Sequence, residues 1–215
     1  MTQEERRQRS TEKLIDACID LASEQGAAAL TFDLVGERAG YSRNLAFQKF
    51  GSKSALVEAV VNHLHDIVED ARSGAGLEEL PGLEAIYVFC ETQFIAQKKY
   101  NVMRAYSILL GSAISELSDA LVLFEQSHKR SERMLKRLLR RGITDGSIRK
   151  ETNVGQAALI IGTQLLGISA QTIVDPNFSL NKILLELRNM IALAYGSPKS
   201  QTTLLEKTIP ISASN

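Results

Sequence analysis

Three features of the sequence predict an all-α chain built in two parts. Apolar residues recur at three- and four-residue spacing along most of its length, and strand-like alternation is missing except at Ile209 to Ile211, which is short and broken by Pro210. Residues 31–53 read as two short helices joined by a glycine turn and followed by a capped third helix. Residues 154–174 form a helical run that is apolar on nearly every side. The expected division is an N-terminal helix-turn-helix domain over 1–53, a larger helical domain over 54–197 and a flexible tail over 198–215.

The first helix is expected over Arg9–Gln25, where Leu14, Ile15, Cys18, Ile19, Leu21 and Ala22 share a helical period and Gly26 ends it. Ahead of it, Arg6, Arg7 and Arg9 fit either a mobile basic arm or a solvated N-terminus. Thr31 can cap the next helix, which Leu34, Val35 and Ala39 continue. Gly40 supplies a residue able to take positive φ at the helix end, Tyr41 can tuck between helices, and Ser42 offers a second cap. In the helix that follows, Ala46, Phe47 and Phe50 are expected to face inward, leaving Arg43, Asn44, Leu45, Gln48 and Lys49 outward. Gly51 closes it, and Ser52 caps a further helix with Lys53 in its first turn.

Charge directs the functional reading of this segment. Formal net charge is zero, with 25 basic and 25 acidic residues, so bulk attraction to a polyanion is excluded and any basic surface must be local. From residue 38 to 53 the charged residues are Arg38, Arg43, Lys49 and Lys53, with no Asp or Glu. Helix N-termini favour phosphates, and a short helix of this type fits the DNA major groove with its N-terminal side chains at base edges. The residue types assign Arg43, Asn44, Leu45 and Gln48 to bases, with Arg43 suited to guanine and Leu45 to a thymine methyl. Thr31, Lys49 and Lys53 are assigned to phosphates, and Ser42, Phe47 and Gly40 to the capping and packing of the recognition helix. A plain helical corner with no DNA role is the alternative for the shape alone.

Thr31, Ala39, Gly40, Tyr41, Ser42, Phe47, Phe50, Lys53 and Leu56 together resemble the DNA-binding signature of the TetR family of bacterial transcriptional regulators. The resemblance covers roughly residues 10–60 in detail, and the remainder matches only in length and helical layout. It implies a homodimer on a palindromic operator, released by a small-molecule effector held in the larger domain. Two positions depart from the family pattern. Phe47 lacks the hydroxyl with which the usual Tyr reaches a phosphate, and Gly36 replaces the usual Ala, at a cost to its helix of about 0.5–1 kcal/mol.

Beyond residue 53 the periodicity predicts helices over 52–71, 83–99, 101–115, 117–141, 154–174 and 179–195, with a Gly- and Pro-containing loop over 73–82. In the middle helices Tyr87, Phe94, Met103, Tyr106, Phe124 and His128 are candidates for the effector pocket, with ordinary core as the alternative. Gln156, Thr163, Gln164, Ser169, Gln171 and Thr172 argue against a membrane span in 154–174 and favour burial within the protein or between two copies. In regulators this chain resembles, the last two long helices form the dimer interface, which nominates Leu159, Leu166, Ala170, Leu187 and Ile191. The basic face of 129–141 fits a solvated surface or an anionic partner.

No catalytic or metal residue is nominated, and no cofactor. Glu125 and His128 form one Glu-x-x-His pair where a di-iron bundle needs two, and phosphate-loop, Cys-x-x-Cys and Gly-x-Ser-x-Gly patterns are missing. The polar N-terminus carries no secretory pattern, which predicts a cytoplasmic protein with Cys18 and Cys90 as buried thiols. An all-helical ligand-binding or metal enzyme, and a regulator controlled by a protein partner, are the competing functional classes.

Overall fold

The computed structural model describes residues 2–95, 101–116, 119–175 and 177–201. In chain order the helices are α1 (Gln3–Gln25), α2 (Phe32–Ala39), α3 (Arg43–Phe50), α4 (Lys53–Ser73), α5 (Gly82–Ile95), α6 (Val102–Ser115), α7 (Leu121–Asp145), α8 (Val154–Val174) and α9 (Leu180–Tyr195). Single 3-10 turns occupy Ala27–Ala29 and Leu77–Glu79. Among the described residues the one β pairing is an isolated bridge between Ile148 and Gly196. The all-α expectation holds.

Two compact units are present, and their division differs from the expected boundary at residue 53. One comprises Met1–Glu69 with Ala96–Ser127, the other Asp70–Ile95 with His128–Asn215. Helix α6, expected in the larger domain, belongs to the first unit. Its Val102, Ala105, Leu109 and Ala113 are buried in one cluster with Leu14, Cys18 and Leu21 of α1, Val35 of α2, Ala46 of α3, and Leu56 and Val60 of α4. Polar ties fix the docking: Asn101 Nδ2 donates to Asp20 Oδ1 at 3.1 Å and Arg104 Nε donates to the Ser23 carbonyl at 2.8 Å. Asn101 sits at φ 82, a left-handed conformation that asparagine tolerates better than most residues.

Helix α1 starts six residues earlier than the apolar period indicates. Thr2 and Glu5 form a reciprocal capping box, with Glu5 N–H donating to Thr2 Oγ1 at 3.2 Å and Thr2 N–H to Glu5 Oε2 at 2.7 Å. Arg6, Arg7 and Arg9 therefore stand on exposed helical turns and form no mobile arm. Helix α7 runs from Leu121 to Asp145, not 117–141.

The second unit packs α5, α7, α8 and α9 around Leu83, Ile86, Phe89, Leu135, Leu138, Leu139, Ile161 and Leu184. Backbones meet where α5 begins: a Cβ on Gly82 would lie 2.2 Å from the Gly142 nitrogen. Asp145 secures the same point, its Oδ2 accepting from Gly82 N–H at 2.7 Å and its Oδ1 from Ser147 N–H at 2.9 Å. Pro198–Gln201 form a helical turn in which the Gln201 N–H donates to the Ser197 carbonyl at 2.9 Å, so the expected tail does not begin at 198. Residues 202–215 of that tail lie outside the described residues.

Candidate nucleic-acid interface

The turn between α2 and α3 is built as its residue types require. Gly40 takes φ 75 and its N–H donates to the Glu37 carbonyl, while Tyr41 N–H closes on the Gly36 carbonyl at 2.8 Å. Thr31 Oγ1 accepts from Leu34 N–H at 3.3 Å, and Ser42 Oγ from Leu45 N–H at 3.2 Å, so both expected caps are in place. Ser52 caps α4 in the same way, through Ala55 N–H at 3.1 Å. Gly36 is more than a weak point in α2. A Cβ there would lie 3.0 Å from the backbone of Ser42 and Arg43, so glycine permits the two helices to approach this closely.

Helix α3 turns Ala46 fully into the core, with Phe50 packed at its edge. Arg43, Asn44 and Gln48 are exposed, as expected, and Leu45 is half-buried. Phe47 reverses its expected orientation. Its side chain is 54 % exposed on the outer face, with its ring edge-on to Phe32 at 5.4 Å, because Ala46 and Phe50 already fill the inward positions.

Lys49 points the other way. Its ammonium donates to the Arg7 carbonyl at 2.9 Å and to Thr11 Oγ1 at 3.0 Å, tying α3 to α1. Burial, and then the positive charge of Arg7, lower its pKa below the ordinary lysine value. The assignment of Lys49 to a phosphate competes with this engagement, because those bonds commit two of its three donors to α1 and draw the ammonium toward that helix. Lys53, at the start of α4, is exposed. Thr31 is exposed and uses its oxygen as acceptor, which leaves its hydroxyl proton to donate.

The one-signed run of residues 38–53 is not one-signed in space. Arg38 makes a two-pronged pair with Glu24, at 3.2 and 2.8 Å, and this hydrogen bonding holds the Glu24 carboxyl below its ordinary pKa. Arg43 Nε lies 3.3 Å from Asp33 Oδ2, with both side chains mostly exposed. Acids from α1 and α2 thus face two of the four cations, a pairing across helices that the linear charge pattern does not display.

The effector-pocket candidates fall into separate clusters. Tyr106 and Phe124 stack edge-on at 5.1 Å in the first unit, which also holds Met103. Tyr87 and Phe94 are buried in the second, where the Arg188 guanidinium lies 4.9 Å from the Tyr87 ring, and His128 is on the surface. A groove of about 500 Å³ in the second unit is lined by Glu79, Pro81, Glu84, Asp145, Ser147 and Lys199 among others, none of which the sequence singled out. Burial pushes both Cys18 and Cys90 thiols up to about 12, which disfavours the reactive thiolate.

Among the dimer candidates, Leu159 and Leu166 are 60 % and 43 % exposed, and Ala170 is exposed as well. Leu187 and Ile191 are buried in the core of their own chain and are withdrawn from that interface. Leu185, Met190 and Leu193 are the exposed large apolar residues of α9.

No curated protein matches the sequence significantly. Residues 14–60 match the family described as bacterial regulatory proteins, tetR family. Among solved structures, a TetR-family transcriptional regulator from Rhodococcus sp. is similar at 16 % identity and TM-score 0.78, covering 86 % of this chain and 98 % of its own. SmeT, the repressor of the Stenotrophomonas maltophilia efflux pump SmeDEF, matches at 21 % identity and TM-score 0.71 over 88 % and 92 %. NalD, the secondary repressor of MexAB-OprM in Pseudomonas aeruginosa, matches at 16 % identity and TM-score 0.72 over 90 % and 99 %. Residues 14–60 thus carry the segment matched by the tetR family of bacterial regulatory proteins, and the described helices share the fold of solved regulators of that family.

Proposed function

We propose that the protein is a cytoplasmic, homodimeric transcriptional repressor that leaves a palindromic operator when a small-molecule effector binds. The observation that carries this reading is the outer face of α3, where Arg43, Asn44 and Gln48 stand exposed on a helix capped by Ser42 and braced against α2. Arg43 suits guanine, Asn44 and Gln48 suit adenine, and Thr31 and Lys53 flank them as phosphate donors.

Dimerisation supplies a second recognition helix for the other half-site. The apolar face of α8 supports it. Leu159, Leu166 and Ala170 lie exposed on a helix whose opposite side packs into the core, and a second copy would cover them. Helix α8 is long and apolar enough to cross a membrane, yet Thr163 and Gln164 interrupt its exposed face. Effector control is supported by kinship with efflux repressors, one of which was solved as a SmeT–triclosan complex. An effector that binds better to a form with mismatched recognition helices lowers operator affinity. The metal-enzyme alternative has no supporting cluster, since no three potential ligands gather among the described residues.

Selection of bound sites from random DNA, followed by mobility shift, tests the reading. A two-fold symmetric site is expected, and Arg43→Ala should weaken specific binding by about 1–3 kcal/mol and relax one base preference. Unchanged affinity and preference in that variant would remove α3 as the reader.

A further inference from the structure

We propose that Phe47 is a base reader, seating the 5-methyl group of a thymine in the major groove with Phe32 as the fixed support behind its ring. This rests on the operator-binding reading above. The inward side of α3 is taken by Ala46 and Phe50, and Lys49 is drawn to α1. At about 100° per residue, Arg43, Asn44, Phe47 and Gln48 share the remaining arc, and all four are exposed. Every other phenylalanine of the chain is buried or half-buried. Phe47 alone is held out at 54 % exposure, in the middle of three polar readers.

Its placement is restrained. The ring meets Phe32 at 89° between planes, and Phe32 packs on the hydrophobic cluster of its unit, so one edge is anchored while the rest is presented. The adjacent Asp33 holds Arg43, so the first turn of α2 orients two readers of α3 together. A phenyl ring offers no hydrogen bond to a phosphate or to a polar base edge. The one apolar group that the major groove presents at a base edge is the thymine methyl, and Phe is among the side chains that contact it. Arg43, Asn44 and Gln48 then read polar edges, and Phe47 reads the position between them.

Replacing each operator thymine in turn by deoxyuridine, which removes only that methyl, tests the assignment in wild type, Phe47→Ala and Phe47→Leu. Wild type is expected to lose about fourfold in affinity per half-site at one thymine. Phe47→Ala should lose that sensitivity while melting like wild type, and Phe47→Leu should keep part of it. An equal deoxyuridine penalty in wild type and Phe47→Ala, or general weakening of Phe47→Ala without thymine dependence, overturns the proposal in favour of a sugar-backbone contact. Failure of the wild-type protein to select any site would instead overturn the operator-binding reading beneath it.

Discussion

Lys49 and Lys53 lie four residues apart, yet their surroundings assign them different work. Lys49 spends two of its three donors on α1, whereas Lys53 stands exposed at a helix start, where phosphates bind. Lys53→Gln should therefore flatten the salt dependence of operator binding by about one unit of slope per protomer. Lys49→Gln should leave that slope near wild type and lower the melting temperature, because it removes a tie between helices. Matching slope changes in the two variants, measured by titration at several salt concentrations, would put Lys49 on the DNA. Sequence alone could not separate this pair, because α1 comes within reach of Lys49 only after the chain folds. The caps Thr31, Ser42 and Ser52 were legible because capping is local, a hydroxyl reaching an N–H three residues on.

Among the elements, α8 carries the clearest expectation. Its apolar composition was legible, but which half of it a single chain buries depends on packing, and Leu159 and Leu166 prove exposed where Leu187 and Ile191 of α9 are enclosed. Leu159→Glu combined with Leu166→Glu should shift the protein toward monomer in sedimentation while keeping its helical content. Operator affinity should fall with it, since a single recognition helix reads one half-site. A dimer that survives both changes would place the interface elsewhere. Helix α1 shows the opposite failure of legibility. Its first two turns carry almost no apolar residue, so periodicity missed them, while the Thr2–Glu5 capping pattern was there to be read.

At the scale of the whole molecule, acid should loosen the second unit through Asp145. Partial burial alone would raise its pKa, but hydrogen bonds from Ser147 and Gly82, with Arg141 nearby, outweigh that and hold it below the ordinary aspartate value. A lowered folded-state pKa means stability that is present at neutral pH and lost as pH falls through that depressed value. Asp145→Ala should cost about 1 kcal/mol at pH 7 in urea unfolding, by analogy with loss of a helix cap. The difference from wild type should shrink as pH falls below the ordinary aspartate range, and a pH-independent difference would deny the carboxylate this role.

The unit that carries the recognition helix is encoded in two pieces, residues 1–69 and 96–127. On the ribosome, α1 to α3 emerge first but lack the apolar face of α6 that completes their core. They must wait roughly 4–15 s for Ser127 at ordinary elongation rates. Competence to hold DNA thus arrives late in synthesis, and a fragment cut within α4 would retain every recognition residue while losing the core that steadies them.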